Sequence, residues 1–413
     1  MSIMRRRWPW VLLAVLLAPA FLLLSCSPAA QPLSPTAADV AAAREVYSRV
    51  NALRGASRPL PIAASWRELA AVAELGGRTA GFANATFLRD GERGVLVASL
   101  PLAPHLWLNA RAFLAAGQEG QLRVSGRLGL LPVPARLVHA AIELSRNHLH
   151  RKGADIPPLD ELVMDFAVGD RGLSARMRLP GSARMLRTLS ALREEGIDTG
   201  RVAAHYCRLV EAHHADPQRD FAVLVRRVFG GADGTAADNR AAFMALAVLV
   251  AGTEVGLLAA ERRQLTQRCG EPDEQEFELL GRSDLVKHWS VSAALAAAFG
   301  SQASISVGIW KEISDSGDGG SGFSLVDLAA DRSGVFCAEK SAQAEQAGDA
   351  RAWLAQARQE DLLPVSALAL AEGMSEEQFR SRYTSVDSPA FSKTVEHIDK
   401  TLAVLIRFDA PKP

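Results

Sequence analysis

Residues 283–334 read SDLVKHWSVSAALAAAFGSQASISVGIWKEISDSGDGGSGFSLVDLAADRSG. Polar residues return every third or fourth position through three apolar runs, and a glycine-rich loop separates the second run from the third. That period predicts three short helices and so a helical C-terminal half. Asp284, His288 and Ser292 fall at i, i+4 and i+8 on one face of the first helix, with Leu285, Trp289 and Leu295 on the others. The second helix, over residues 304–314, presents Glu312 near its end, with Asp315 one turn on. The third starts at Ser324 and carries Asp327 and Asp331 at i, i+4, with Gly334 continuing their face. Three such helices would point one His and up to four carboxylates at one volume. Gly308 and Gly334, lacking side chains, allow the backbones to approach closely there.

Two chemistries fit this pattern. Neutral imidazole with carboxylates suits Zn, Mn or Fe, and clustered carboxylates share protons and raise one another's pKa. On that view His288, Glu312, Asp327 and Asp331 form the catalytic set, with Glu312 as general base. A divalent metal would be held by Asp315 with His288 and Glu312, and the glycine loop would admit substrate. The same residues also have ordinary roles: Ser324 to Asp327 is a capping-box pattern, Asp284 and His288 are a helix pair, and Asp315 before Gly317 is a turn. On that view they form a polar network locking the bundle. The loop from Asp315 to Asp327 lacks the oxygen ligands of an EF-hand.

Outward from this stretch, helical spacing continues: residues 185–192, 202–212 and 221–228 predict helices, and residues 240–258 predict a buried one. Ser375 with Gln378 is a further helix start. His213-His214 reads as a solvated helix end, because neighbours on a helix point about 100° apart and seldom share a metal. Toward the N-terminus the period changes to two. Val95 and Val97, then Leu106 to Ala112, then Leu122 to Leu130 alternate as strands with one covered face do, and Gly91 and residues 117–120 supply turns. A helix over residues 135–148 and strands over 161–168 and 173–179 follow. Residues 40–53 and a capping box at Ser65 predict two helices before the strands. The fold class is therefore α+β: a small antiparallel sheet module with helices over residues 36–181, then a mainly helical domain over 182–413.

Met4 to Arg7 form a basic segment, residues 8–24 are apolar, and Leu23-Leu24-Ser25-Cys26 follows. This resembles a bacterial lipoprotein signal, which implies cleavage after residue 25, lipidation of Cys26 and a tether over residues 26–35. An uncleaved membrane anchor is the alternative. Either one attaches the chain to a membrane and exports its body to the periplasm, and Ser27 after the cysteine resembles outer-membrane sorting. In an oxidising compartment Cys207 pairs with Cys269, leaving Cys337 as a small core residue. Forty-six basic and forty-six acidic residues cancel, which sets nucleic-acid binding aside.

Two regions carry resemblances. LWLNARAFLAA, LRVSGRLGLLPVPARLV, LDELVMDFAV and LSARMRLP resemble the N-terminal region of proteobacterial envelope proteins and, distantly, the YpmS-type periplasmic domain. His288, Lys311-Glu312, Asp315, residues 321–324, Asp327, Asp331 and Gly334 resemble the core of YfiM-like small lipoproteins over residues 284–334, and remotely the VanZ-like membrane proteins. These resemblances imply an envelope lipoprotein and bring no catalytic residues. The functional expectation is a lipid-anchored periplasmic protein, structural or lipid-binding. The alternative is an envelope hydrolase acting on peptidoglycan or a lipid-linked substrate.

Overall fold

A computed structural model describes residues 22–31, 34–53, 56, 58–151, 156–179, 197–251, 259–271 and 276–408. Residues 1–21, expected to be part of a signal, and the expected helix over 185–192 lie outside the described residues. The chain divides into two compact units, one formed mainly by residues 39–150 and 156–180, the other by 181–413. The class is α+β, as the change of period predicts. No helix among the described residues is long and apolar enough to cross a membrane.

In the first unit, β1 (Leu24–Ser25) and α1 (Ala37–Ala52) precede β2 (Leu60–Ser65), α2 (Trp66–Thr79), β3 (Asn84–Asp90), β4 (Arg93–Ala103), β5 (Leu106–Ala116), β6 (Leu122–Leu128), β7 (Leu131–Val133) and α3 (Ala135–Arg151). A short α4 (Leu159–Leu162), β8 (Val163–Val168) and β9 (Gly172–Met177) complete it. The single expected sheet is two antiparallel sheets, one ordered β3-β4-β5-β6-β7 with β1 on β5, the other β2-β9-β8. The second sheet exists because β2, whose alternation is interrupted by Pro61, pairs with β9 from Leu60↔Met177 to Ser65↔Gly172. Ser65 caps α2: its Oγ accepts from Glu68 N, and Glu68 Oε2 accepts from Ser65 N at 2.7 Å. Residues 27–30 correct the expected tether. Ala29 and Ala30 lie against Val95, Val97 and Phe113, and their N–H groups donate to Ser99 and Asn109.

The second unit comprises α5 (Thr199–Ala215), α6 (Phe221–Gly230), α7 (Ala236–Ala251), α8 (Ala259–Cys269), α9 (Ser283–Phe299), α10 (Ser301–Asp315), α11 (Leu325–Ser341), α12 (Ala347–Leu354), α13 (Gln359–Leu362), α14 (Glu376–Tyr383) and α15 (Pro389–Leu405). α7 is apolar nearly all round from Ala241 onward and is buried on every side there, as such a helix must be. Trp289 of α9 is fully buried with its ring near Phe221 and Phe243. Cys207 and Cys269 form the expected disulfide between α5 and α8, and Cys337 is buried in the core. His213 is a correction: it is buried edge-on to the Phe277 ring, 5.3 Å away, instead of solvated.

Candidate functional site

α9, α10 and α11 meet through glycine. A Cβ at Gly334 would lie 2.1 Å from the Trp289 carbonyl oxygen, so any side chain there would drive α11 off α9. At Gly308 a Cβ would lie 2.7 Å from Asp331 Oδ2, which is how α10 comes up against that carboxylate. The close approach expected from both glycines is present, and the four residues read as a catalytic set converge.

His288 sits between two carboxylates. Its Nδ1 is 3.0 Å from Asp331 Oδ1, which also accepts from Ser292 Oγ at 2.7 Å. Its Nε2 faces Asp327 Oδ2 at 3.3 Å and Lys311 Nζ at 2.9 Å. As imidazolium the ring donates to both carboxylates; as neutral imidazole it accepts from Lys311 through Nε2. Burial opposes the charge, but Asp331 and Asp327 outweigh it and lift His288 to about 10. Burial likewise works against Asp327, yet His288 and Lys311 hold that carboxyl down at about 2.

Glu312 is 0% exposed, and burial pushes its carboxyl up to about 7 against the pull of Lys311. Both its oxygens are engaged: Oε1 accepts from Lys311 Nζ at 2.9 Å and Oε2 from the Ser324 N–H at 2.8 Å. Ser324 Oγ caps α11 by accepting from Asp327 N, while its own N–H goes to Glu312. The Asp327 carboxylate is thereby turned into the cluster. Lys311 Nζ also reaches Asp315 Oδ2 at 3.0 Å and Asp327 Oδ2 at 3.4 Å, and its side chain is 41% exposed. Arg282, preceding α9, pairs with Asp284 at 2.5 Å, with Glu372 at 2.8 Å and with Asp327 at 3.5 Å. Asp331 Oδ2 is buried without a hydrogen-bond partner.

One ligating atom each from His288, Glu312 and Asp327 fall within 4.8 Å of one another. Asp327 therefore takes the place expected of Asp315, which joins the cluster through Lys311. The Lys311 ammonium sits among these three atoms, so a divalent ion would have to displace it. Lys311 and Arg282 were missed as site members. The Lys311–Asp315 spacing of i, i+4 is a local signal for the first, and for Arg282 only its nearness to Asp284 is, since its other partners Asp327 and Glu372 are 45 and 90 residues away. The glycine loop is tied down at its end, where Gly322 N donates to Asp315 O at 2.7 Å and Phe323 pairs with Met374 through both backbone bonds.

A different kind of site lies in the first unit. α3 is a 17-residue helix without a single fully buried residue. Beneath and beside it are two cavities of about 400 and 390 Å³, both lined by Ile142 and Leu159. Val138, Ala141 and Leu149 line the second, Leu122 and Val124 of β6 the first. Arg123, Arg136 and His139 stand at the first cavity with Asp160, and Arg146 at the second.

No protein-family model, curated protein or solved structure matches the chain. At neutral pH a protonated His288 is a poor base, and Glu312 is fully buried with both oxygens satisfied. The cluster is well built to hold three helices by charge. The cavities under α3 are of the size that takes small molecules, and the lining of the second is mostly apolar.

Proposed function

We propose that this chain is a membrane-tethered protein of the cell envelope that binds an amphiphile, an acyl chain with an anionic head, in the cleft under α3. The helical unit is then a rigid frame locked by the His288 cluster. One observation carries this reading: an amphipathic helix lays its apolar stripe over cavities instead of closing on its sheet, with arginines at their edges. Burying an acyl chain there removes apolar surface from water at roughly 25 cal/mol per Å², and Arg123 or Arg136 would pair with a carboxylate or phosphate head, Arg146 being already paired with Glu143 at 2.8 Å. Titration of delipidated protein with a fluorescent fatty acid tests it. Saturable stoichiometric binding, lost in Ile142→Trp while helix content and melting temperature stay unchanged, is the expected result; no binding by the parent protein sinks the idea.

A second reading is supported by the convergence of His288, Glu312 and Asp327. It makes the cluster the centre of an envelope hydrolase, with Lys311 giving way to a divalent ion or to substrate. Release of labelled fragments from peptidoglycan or a lipid-linked precursor, abolished in Glu312→Gln with stability retained, would establish it. Equal release by Glu312→Gln and parent protein would remove it.

A further inference from the structure

The end of the six-stranded sheet where the N-terminal segment arrives is apolar and exposed. β1 pairs Leu24↔Leu108 and Ser25↔Trp107, and Leu130 N donates to Leu22 O at 2.7 Å. The β6–β7 turn and the incoming chain therefore share one end of β5. The β4–β5 hairpin closes at the same end, with Pro101↔Trp107 and Ala103↔Leu106 in register. Around this end Leu130 is 68% and Leu102 51% exposed, with Leu22 and Leu131 also open to water. Cys26 is exposed beside them.

We propose that this end of the sheet, with Leu102 and Leu130 at its two hairpin tips, docks into the surface of a lipid bilayer. The inference rests on the tethered reading of the N-terminus. Twenty-one residues precede Leu22, and residues 8–21 are almost wholly apolar with Trp8 and Trp10 among them. That segment leads directly into this end. Cleavage before Cys26 would remove β1 and leave the attachment unchanged in place, because the residues after the cysteine are pinned. Asn109 Nδ2 donates to Ser27 O at 3.0 Å, and Ala29 N donates to Ser99 Oγ and Asn109 Oδ1, each at 2.9 Å. Ser99 Oγ in turn donates to Asn109 Oδ1 at 2.7 Å. With the chain fixed from Ser27 onward, a lipid on Cys26 starts within a few residues of the sheet. A membrane that takes the lipid then meets the leucines at the same end, where single apolar tips insert while the lipid supplies the lasting hold.

The test uses the full chain with Cys26 S-acylated, which closes its thiol to maleimide, in vesicles of phosphatidylethanolamine and phosphatidylglycerol, with a polarity-sensitive maleimide placed by Leu102→Cys, Leu130→Cys or Leu88→Cys. Leu88 pairs with Val95 near the opposite end of β4 and is the control. Doxyl-labelled lipid is expected to quench the probes at 102 and 130 at least severalfold more than the probe at 88. A chain that floats with vesicles while all three probes stay in water overturns the docking face and leaves the tether standing. A chain that fails to float overturns both. A probe shift that appears without lipid and grows with protein concentration assigns the face to a second copy and also overturns the proposal.

Discussion

His288 is the residue on which the helical unit's response to pH turns. Its pKa rises from 6.5 to about 10, so its contribution to folding is complete below 6.5 and is lost as pH climbs through 10. Glu312, lifted from 4.5 to about 7, has the same sign: what it contributes when protonated is lost between those values. Asp327 has the opposite sign, since its fall from 3.8 to about 2 gives stability above 3.8 that is lost as pH drops toward 2. The cluster is therefore most favourable between 3.8 and 4.5 and weakens steadily on the alkaline side. Replacing His288 by Gln leaves two buried carboxylates without their shared cation. The cost is on the order of 3–5 kcal/mol at neutral pH, and the decline between pH 6.5 and 10 should flatten in thermal melts. An alkaline limb of equal slope in both proteins would refute the assignment. Helical spacing was enough to bring His288, Glu312, Asp327 and Asp331 together on paper, because i, i+4 positions share a face in any helix. It could not show that a lysine fills the centre. The contacts that put Lys311 at the centre, to His288 and Asp327, cross between helices.

At the scale of elements, the close crossing of α9 and α11 depends on Gly334. Putting a methyl group 2.1 Å from the Trp289 carbonyl forces backbone against backbone, which no rotamer change relieves. Gly334→Ala should destabilise the helical unit by about 1–3 kcal/mol through overpacking. It should also shift the His288 ring signals in NMR spectra, because Asp331 and Gly334 share one face of α11. Unchanged melting and unchanged ring signals would show that the helices have room to spare. Helices were the more legible elements because each period is local: the starts at Ser65, Ser324 and Ser375 all carry their side-chain caps in the structure. Strands were less so. β2 carries a proline, and the turn of α4 replaces the first residues expected of a strand, since Leu162 N bonds back to Pro158 O. The division of the strands into two sheets depends on pairing between β2 and β9, more than a hundred residues apart in sequence. No local pattern encodes that choice.

At the scale of the whole molecule, two units with separate compact cores predict two unfolding transitions by calorimetry. The units carry different handles, which identifies the transitions. The Cys207–Cys269 bond closes a loop with a sequence separation of 62 inside the helical unit. Its reduction removes about 4 kcal/mol by loop-closure entropy, so dithiothreitol should lower one transition by many degrees and spare the other. The cleft under α3 belongs wholly to the sheet unit. A ligand that binds only the folded form, at one hundred times its dissociation constant, adds about 2.7 kcal/mol. A long-chain fatty acid should therefore raise the transition that the reductant leaves alone. If the fatty acid instead raised the reductant-sensitive transition, the binding site would lie in the helical unit. The cluster of His288, Lys311 and Glu312 would then have to be reconsidered as the place where an anionic head is held.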